Sequence, residues 1–306
     1  MKQKRIKRIK RIKGTSIRLT TTDRVFYAVI DIFLVIILFV VAIPLWSTIT
    51  LSFRSNTFIG SNLEGMFLPV WNWSTAAYRS LLGNNGFVNA FINSMKIFTM
   101  GVATALFLTI PLAYVLSVKT LPGRRFLNIL ILLPYLFHVG LIPTYLVVQK
   151  LGLTNHLAAI FLPGAISTYN CLIMRGFFEG IPDELKESAR IDGAPEWYVL
   201  VCIILPLSKP IIMTIGLYYG VSFWNDFFNA MLYINNNNLQ PLPILLRNIL
   251  MASGMNEFVE VSAFGEAPIQ AIKAASVFMA AIPMIIAYPF IQKYFTKGTL
   301  LGGVKG

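Results

Sequence analysis

The feature that most limits what this chain can fold into is a succession of apolar stretches, each about 20 residues or longer. A helix rises about 1.5 Å per residue and the hydrocarbon core of a bilayer is about 30 Å thick, so roughly 20 apolar residues make one crossing. Six windows reach that length: Val25–Leu51, with Asp31 near its start, then Val88–Val118, Phe126–Val148, Leu157–Phe178, Ile204–Ile234 and Ile269–Phe295. Inside lipid each backbone polar group must be satisfied within its own segment, which predicts an all-α membrane protein of about six transmembrane helices. Pro44, Pro111, Pro134, Pro143, Pro163 and Pro283 interrupt the windows, so kinks are expected. With 56% of its 306 residues apolar and 13% charged, the chain carries more apolar surface than one soluble core hides.

Cations set the expected orientation, because Lys and Arg are retained on the cytoplasmic side. With the N-terminus inside, that side holds the tail, Lys119, Arg124, Arg125, Lys186, Arg190, Lys209, Lys293, Lys297 and Lys305. The other side holds only Arg54, Arg79, Lys150 and Arg247. Both termini are therefore expected in the cytoplasm. The outer segment Ser52–Phe87 places Trp71, Trp73 and Tyr78 at headgroup depth, and Asn235–Asn238 opens a second polar stretch.

The net charge of +13 suggests a nucleic-acid partner at first sight, yet ten of the Lys and Arg residues fall within the first 24 positions. That tail, residues 1–24, repeats Lys-Arg-Ile from Lys4 to Ile12. As a helix it would gather Ile6, Ile9 and Ile12 between cations, which suits anionic membrane lipids or a plain topology anchor better than RNA. No nucleic acid is expected as a partner. The apolar run that follows is too long, and lacks the small-residue site, for a cleavable signal.

Catalytic and metal chemistry find little support. Cys171 and Cys202 lie in apolar stretches, and His138 and His156 lack neighbours at ligand spacing, so neither a disulfide framework nor a metal site is expected. No G-x-x-x-x-G-K-[ST] phosphate loop occurs, so this chain does not bind ATP through one of its own. Lys96 and Lys273 fall inside apolar windows, where a cation marks a functional candidate or a side chain snorkelling to the surface. Lys273 is near a window end and fits snorkelling; Lys96 is deeper and fits a pathway or ion pair.

Glu179–Lys209, between the fourth and fifth windows, stands apart. Six of the thirteen acids are here: Glu179, Asp183, Glu184, Glu187, Asp192 and Glu196. Pro182 followed by Asp183 and Glu184 is a helix start, and Gly193 is the matching stop. Pro195 opens a second helix that runs through Tyr198 and Ile204 and rejoins the membrane at Pro206. Leu185, Ile191 and the small Ala189 among charges make an element shaped for docking; an ordinary amphipathic surface loop has the same pattern.

Glu187-Ser188-Ala189-Arg190-Ile191-Asp192-Gly193-Ala194, with nine residues between the glycine and Ile203-Ile204-Leu205-Pro206, resembles the loop motif of binding-protein-dependent ABC permeases, E-A-A-x-x-x-G with a later I-x-L-P. Ser188 replaces the first alanine, a small-for-small change. The resemblance implies the type I importer permease (MetI-like) fold over residues 25–306. It also implies that the loop at 179–208 is a coupling helix seated in an ATP-hydrolysing subunit, with Leu185, Glu187, Ser188, Ala189, Ile191, Asp192, Gly193, Ala194 and Pro206 at the contact. Asn93-Ser94, Pro182-Asp183-Glu184-Leu185 and Trp224-Asn225-Asp226-Phe227 resemble the maltose-type, oligosaccharide branch. The ending at 297–306 is similar to the glycine-rich tail of MalG-like subunits, which reaches the ATPase dimer and would place Gly302, Gly303, Val304 and Lys305 there. Gly140-Leu141-Ile142-Pro143-Thr144-Tyr145 is similar to permeases for complex or uronate-containing oligosaccharides.

The implied partners are a second, MalF-like permease, two ATPase subunits that bind the ATP and magnesium, and an extracellular sugar-binding protein, all at a bacterial cytoplasmic membrane. This subunit itself needs no cofactor and is not an enzyme. Sugar handling calls for polar groups and flat aromatic faces, for which Lys96, Tyr169, Asn170, Tyr218, Trp224, Asn225 and Asp226 are the candidates. Each of these also has a structural reading: Asn and Tyr bridge helices, Trp sits at interfaces, and Asp226 pairs with a cation on another helix. An amino-acid or peptide permease of the same superfamily, and an ion-coupled secondary transporter, are the competing functions. The first would lack the glycine-rich tail, and the second has no use for an acidic docking loop.

Overall fold

A computed structural model describes residues 21–55, 73–137, 139–251 and 267–302, with side-chain positions for 23–55 and 267–289 within the first and last of these segments. The basic repeat, Trp71 and His138 lie outside the described residues, as do Gly303, Val304 and Lys305. The chain divides into a first unit, Met1–Ser47, and a second, Thr48–Gly306.

Helix α1, Thr21–Ser52, carries the first unit. Apolar side chains cover its whole circumference, as at Val29, Phe33, Leu38 and Val40, each about 60% exposed. A helix apolar on every side is stable in lipid and not in water, so its sequence and its bare surface have one cause.

The second unit begins with α2, Ala76–Gly83, and α3, Asn85–Ser117, whose start is capped by Asn84 accepting from the Phe87 amide at 3.0 Å. Next come α4, Arg124–Leu136, α5, Leu141–Lys150, the short α6, Ala158–Phe161, and α7, Thr168–Glu179. Helix α8, Asp183–Ile191, and α9, Glu196–Tyr198, form the hairpin. A π-helical stretch, Val199–Ile204, and α10, Leu205–Leu207, lead to α11, Lys209–Trp224. The chain closes with α12, Phe227–Tyr233, α13, Leu242–Met251, and α14, Ile269–Gly302.

Helix α3 is the axis of the core, with α7 and α11 against it. Ile97, Ala105, Met174, Phe178, Ile215, Tyr219 and Phe223 form one buried cluster. Small residues permit the approach: a Cβ on Gly220 would stand 2.6 Å from the Phe98 ring and one on Gly101 2.7 Å from Phe223. Without a hydrophobic drive between helices in lipid, such close packing is what holds them together.

The first, second and sixth windows are single helices, but the other three are not. The third breaks between α4 and α5, beside Gly140 at φ +84°. The fourth is the short α6 and then α7, separated by a segment holding Pro163 and Gly164, with Ser167 capping α7. The fifth bends by 84° at Ser208 and breaks again at Asn225 and Asp226. Among the described residues three helices are long and apolar enough to cross alone, or five when each bent pair counts once. Counting apolar residues misses these breaks because Pro163, Gly164, Pro206 and Pro210 change backbone direction with little loss of hydropathy.

Candidate functional site

The hairpin forms as its residues dictate. Asp183 and Glu184 lie in the first turn of α8 and Arg190 in the last, both favourable to the helix dipole. Gly193 takes φ +81°, its amide donates to the Arg190 carbonyl at 3.0 Å, and the Ala194 amide donates to the Ala189 carbonyl at 2.9 Å. This paired termination needs the left-handed residue in the middle, a conformation that strains any side chain with a Cβ.

Charged groups lock the hairpin to the helices behind it. Glu196 accepts from Arg190 Nε at 2.7 Å and Nη2 at 3.3 Å, and from the Tyr114 hydroxyl of α3 at 2.6 Å. The Arg190 hydrogen bond holds the Glu196 carboxyl below its ordinary range, Tyr114 adds to the effect, and Arg190 is pushed up in turn. Lys186 is buried and donates to Asp183 at 3.0 Å and to the Phe178 carbonyl at the end of α7 at 3.2 Å. Hydrogen bonding to Lys186 lowers the Asp183 pKa, with Lys119 contributing less. Arg124 at the start of α4 pairs with Glu179 and donates to the Leu116 carbonyl of α3 at 2.9 Å, while Arg175 reaches Glu179 at 2.9 Å and Asn128 at 2.7 Å. Helices α3, α4, α7 and α8 are thus joined by charge-assisted bonds at one end of the bundle.

One face of α8 remains uncovered. Ile191 is 84% exposed, Leu185 44%, and Glu187, Ser188 and Asp192 are exposed too, with Trp197 beside them at 67%. Ala189, offered by its small size as a contact for a partner, instead turns inward among Phe178, Ile181 and Val199. It lets α8 sit close to its own chain. Pro206 lies past the π-helical stretch, near the bend. At that bend Ser208 is fully buried, and its hydroxyl has no partner among the described residues.

The pathway candidates do not converge. Trp224 and Asn225 line a cavity of about 480 Å³ whose other walls, including Leu242, Val277, Ala280 and Met284, are mainly apolar. Trp224 is buried against Phe91 and Phe98 with its indole NH on the Ala280 carbonyl at 3.1 Å, and Asn225 is bound back to Val221. Asp226, a pathway candidate with a cation pair to another helix as its structural alternative, caps α12: it accepts from the Asn229 amide at 3.0 Å and side chain at 2.8 Å. Tyr169 and Tyr218 are exposed and Asn170 is buried. Lys96 is exposed on α3, and Lys273 donates to the Leu250 carbonyl at 2.8 Å. Asn93 and Ser94 hold the loop before α13 by bonds to the Asn238 carbonyl at 2.9 Å and from the Leu242 amide at 2.8 Å. Gly302 is the last residue of α14, which continues through most of the glycine-containing tail. The Tyr114–Glu196 link has no local sequence signal, since its members are 82 residues apart.

Residues 16–300 match the family model described as binding-protein-dependent transport system inner membrane component. The chain is 38% identical over 286 residues to the polygalacturonan/rhamnogalacturonan transport system permease YtcP of Bacillus subtilis, covering 93% of this chain and 99% of that protein. It is 29% identical over 273 residues to the arabinooligosaccharides transport system permease AraQ of Halalkalibacterium halodurans, covering 88% and 93%. A solved bacterial ABC transporter involved in import of the acidic polysaccharide alginate superposes with TM-score 0.81 at 31% identity, over 90% of this chain and 98% of that one. With the match running through nearly all of α1 to α14 and through the braced hairpin, the chain belongs to the family of binding-protein-dependent transport system inner membrane components.

Proposed function

We propose that this chain is one permease subunit of an ATP-driven importer that moves an oligosaccharide across the cytoplasmic membrane by alternating access. The observation that carries the reading is α8: rigidly braced from behind by Lys186 and Glu196, it presents Leu185, Glu187, Ser188 and Ile191 outward, all four exposed among the described residues. A lever of this kind transmits motion only when a second protein grips it. The partners are two ATPase subunits that bind ATP and magnesium and seat α8, a second permease that completes the passage, and an extracellular sugar-binding protein. Gly302 and the residues after it form a further ATPase contact. Names of the relatives favour a saccharide over a peptide or amino acid.

The test is purification in mild detergent followed by uptake in proteoliposomes. A second permease, an ATPase pair and a sugar-binding protein are expected to come with the chain, and sugar entry is expected to require ATP. Entry that continues without any ATPase would overturn the reading in favour of ion coupling.

A further inference from the structure

Lys96 lies about 17 Å along α3 from its first residue, at 1.5 Å per residue, roughly a third of the way down the helix. It is exposed, and among the described residues its ammonium has neither a hydrogen-bond nor an ion-pair partner. At 3.6 residues per turn, Asn85, Asn89, Lys96, Thr99 and Phe107 share one face with Ile92 and Ala103, and all seven are exposed. The far side is occupied by the chain itself, with Phe98 against Gly220, and so is one flank, where Val102 and Leu106 meet Gly216 of α11. A bare cation in hydrocarbon is costly, so an ammonium this far along the helix calls for water or a counter-charge. The exposed stripe of α3 is mixed: the amides of Asn85 and Asn89, the Lys96 ammonium and the Thr99 hydroxyl, which donates to the Met95 carbonyl at 2.8 Å, alternate with Ile92 and Ala103 and end at the Phe107 ring. Those are the groups that bind sugar hydroxyls and the apolar face of a pyranose, with one full positive charge added.

We infer that this stripe of α3 lines the substrate passage and that the Lys96 ammonium pairs with the carboxylate of a uronic-acid residue, making it the charge-selecting residue of the permease. The inference rests on the importer reading above and adds the substrate class, an acidic oligosaccharide. A free ammonium in a site of low dielectric gives an anionic sugar an attraction that a neutral one lacks.

The experiment uses the whole assembly in proteoliposomes with a labelled oligogalacturonate, comparing wild type with Lys96→Arg, Lys96→Gln and Lys96→Glu, and recording the yield of assembled complex for each. Lys96→Arg is expected to keep uptake within about twofold, Lys96→Gln to lose about tenfold and Lys96→Glu more, with equal assembly yields. An arginine variant as damaged as the glutamine one would mean packing, not charge. Loss of assembly in the glutamine variant would mean an ion pair with the sister permease, and unchanged uptake would mean a side chain snorkelling to the surface. Each of these overturns the inference. A wild-type complex that imports neutral oligosaccharides but no oligogalacturonate overturns it while leaving the importer reading standing; one that imports neither sinks both.

Discussion

Gly193 offers the most direct test of how the hairpin is held. Its φ of +81° lies in the left-handed region, and a Cβ there would meet nothing within 4 Å, so the cost of alanine is backbone strain alone. That strain is about 1–2 kcal/mol, which multiplies the open population of the turn by roughly 5- to 30-fold. Asparagine tolerates the left-handed region and should cost less than alanine, while proline should cost about 3 kcal/mol or more, because its φ is fixed near −65° and it removes the amide that bonds Arg190. Amide hydrogen exchange in the purified complex reads the effect at Ala194, whose amide closes the turn in all four chains, and also at position 193 in every one but the proline variant. The expected order of protection is glycine, then asparagine, alanine and proline, and sugar imported per ATP hydrolysed should fall in the same order. An alanine variant that exchanges like wild type would refute the assignment of Gly193 as a strained stop. Normal coupling in the proline variant would remove the hairpin from the transport mechanism.

Other perturbations follow from the same geometry. Glu196 sits below its ordinary carboxylate range when folded, so its contribution is fully present above about pH 4.5 and is lost only as pH falls through the lowered folded value; hairpin protection, relative to the intrinsic exchange rate at each pH, should be flat from pH 8 to 5 and fall below that, and Glu196→Gln should flatten the acid limb. Arg124→Met strands the Leu116 carbonyl and leaves Glu179 to Arg175 alone, and should cost about 1–3 kcal/mol, seen as a lower melting temperature in detergent with α8 exchange increased. Gly220→Ala forces a methyl group into the Phe98 ring and should cost about 1–3 kcal/mol, with Phe98→Leu in the same chain restoring part of it. Ser208→Ala removes a buried hydroxyl that has no partner among the described residues and should stabilise by about 1 kcal/mol; a destabilised variant would mean that the hydroxyl is bonded after all.

Much of the hairpin was legible because its signals are local. Pro182, the two acids after it, Gly193 and Pro195 act on backbone within a few residues, and the helix, stop and second helix stand where those residues put them. The long helices α1, α3 and α14 were legible for a similar reason, since uninterrupted apolar length is a property of one segment. The break at Leu162–Ser167 was half legible, since Pro163 announces a kink but not the end of a helix, and the bend at Ser208 was not, because hydropathy stays high while backbone direction changes. Inward and outward faces of α8 were only half legible: Ile191 projects as its exposure among charges suggests, but Lys186 is buried and Ala189 covered by the chain itself. Asp226 shows the limit most clearly, for an acid in an apolar window reads as half of an ion pair until the backbone break beside it makes it a cap. Links such as Tyr114 to Glu196 depend on tertiary closure and leave no periodicity to find.

Helix α1 has a further consequence for the setting in which the protein works. Its apolar stretch from Asp23 to Ser52 holds 30 residues, about 45 Å at 1.5 Å per residue, against roughly 30 Å of hydrocarbon in an average bilayer. The surplus has to be taken up by leaning, by a bend at Pro44, or by drawing thicker lipid around the helix. Acyl-chain length is thereby a variable of the protein's own energetics, and reconstitution into short-chain lipids should load a mechanical cost onto α1 that long-chain lipids relieve.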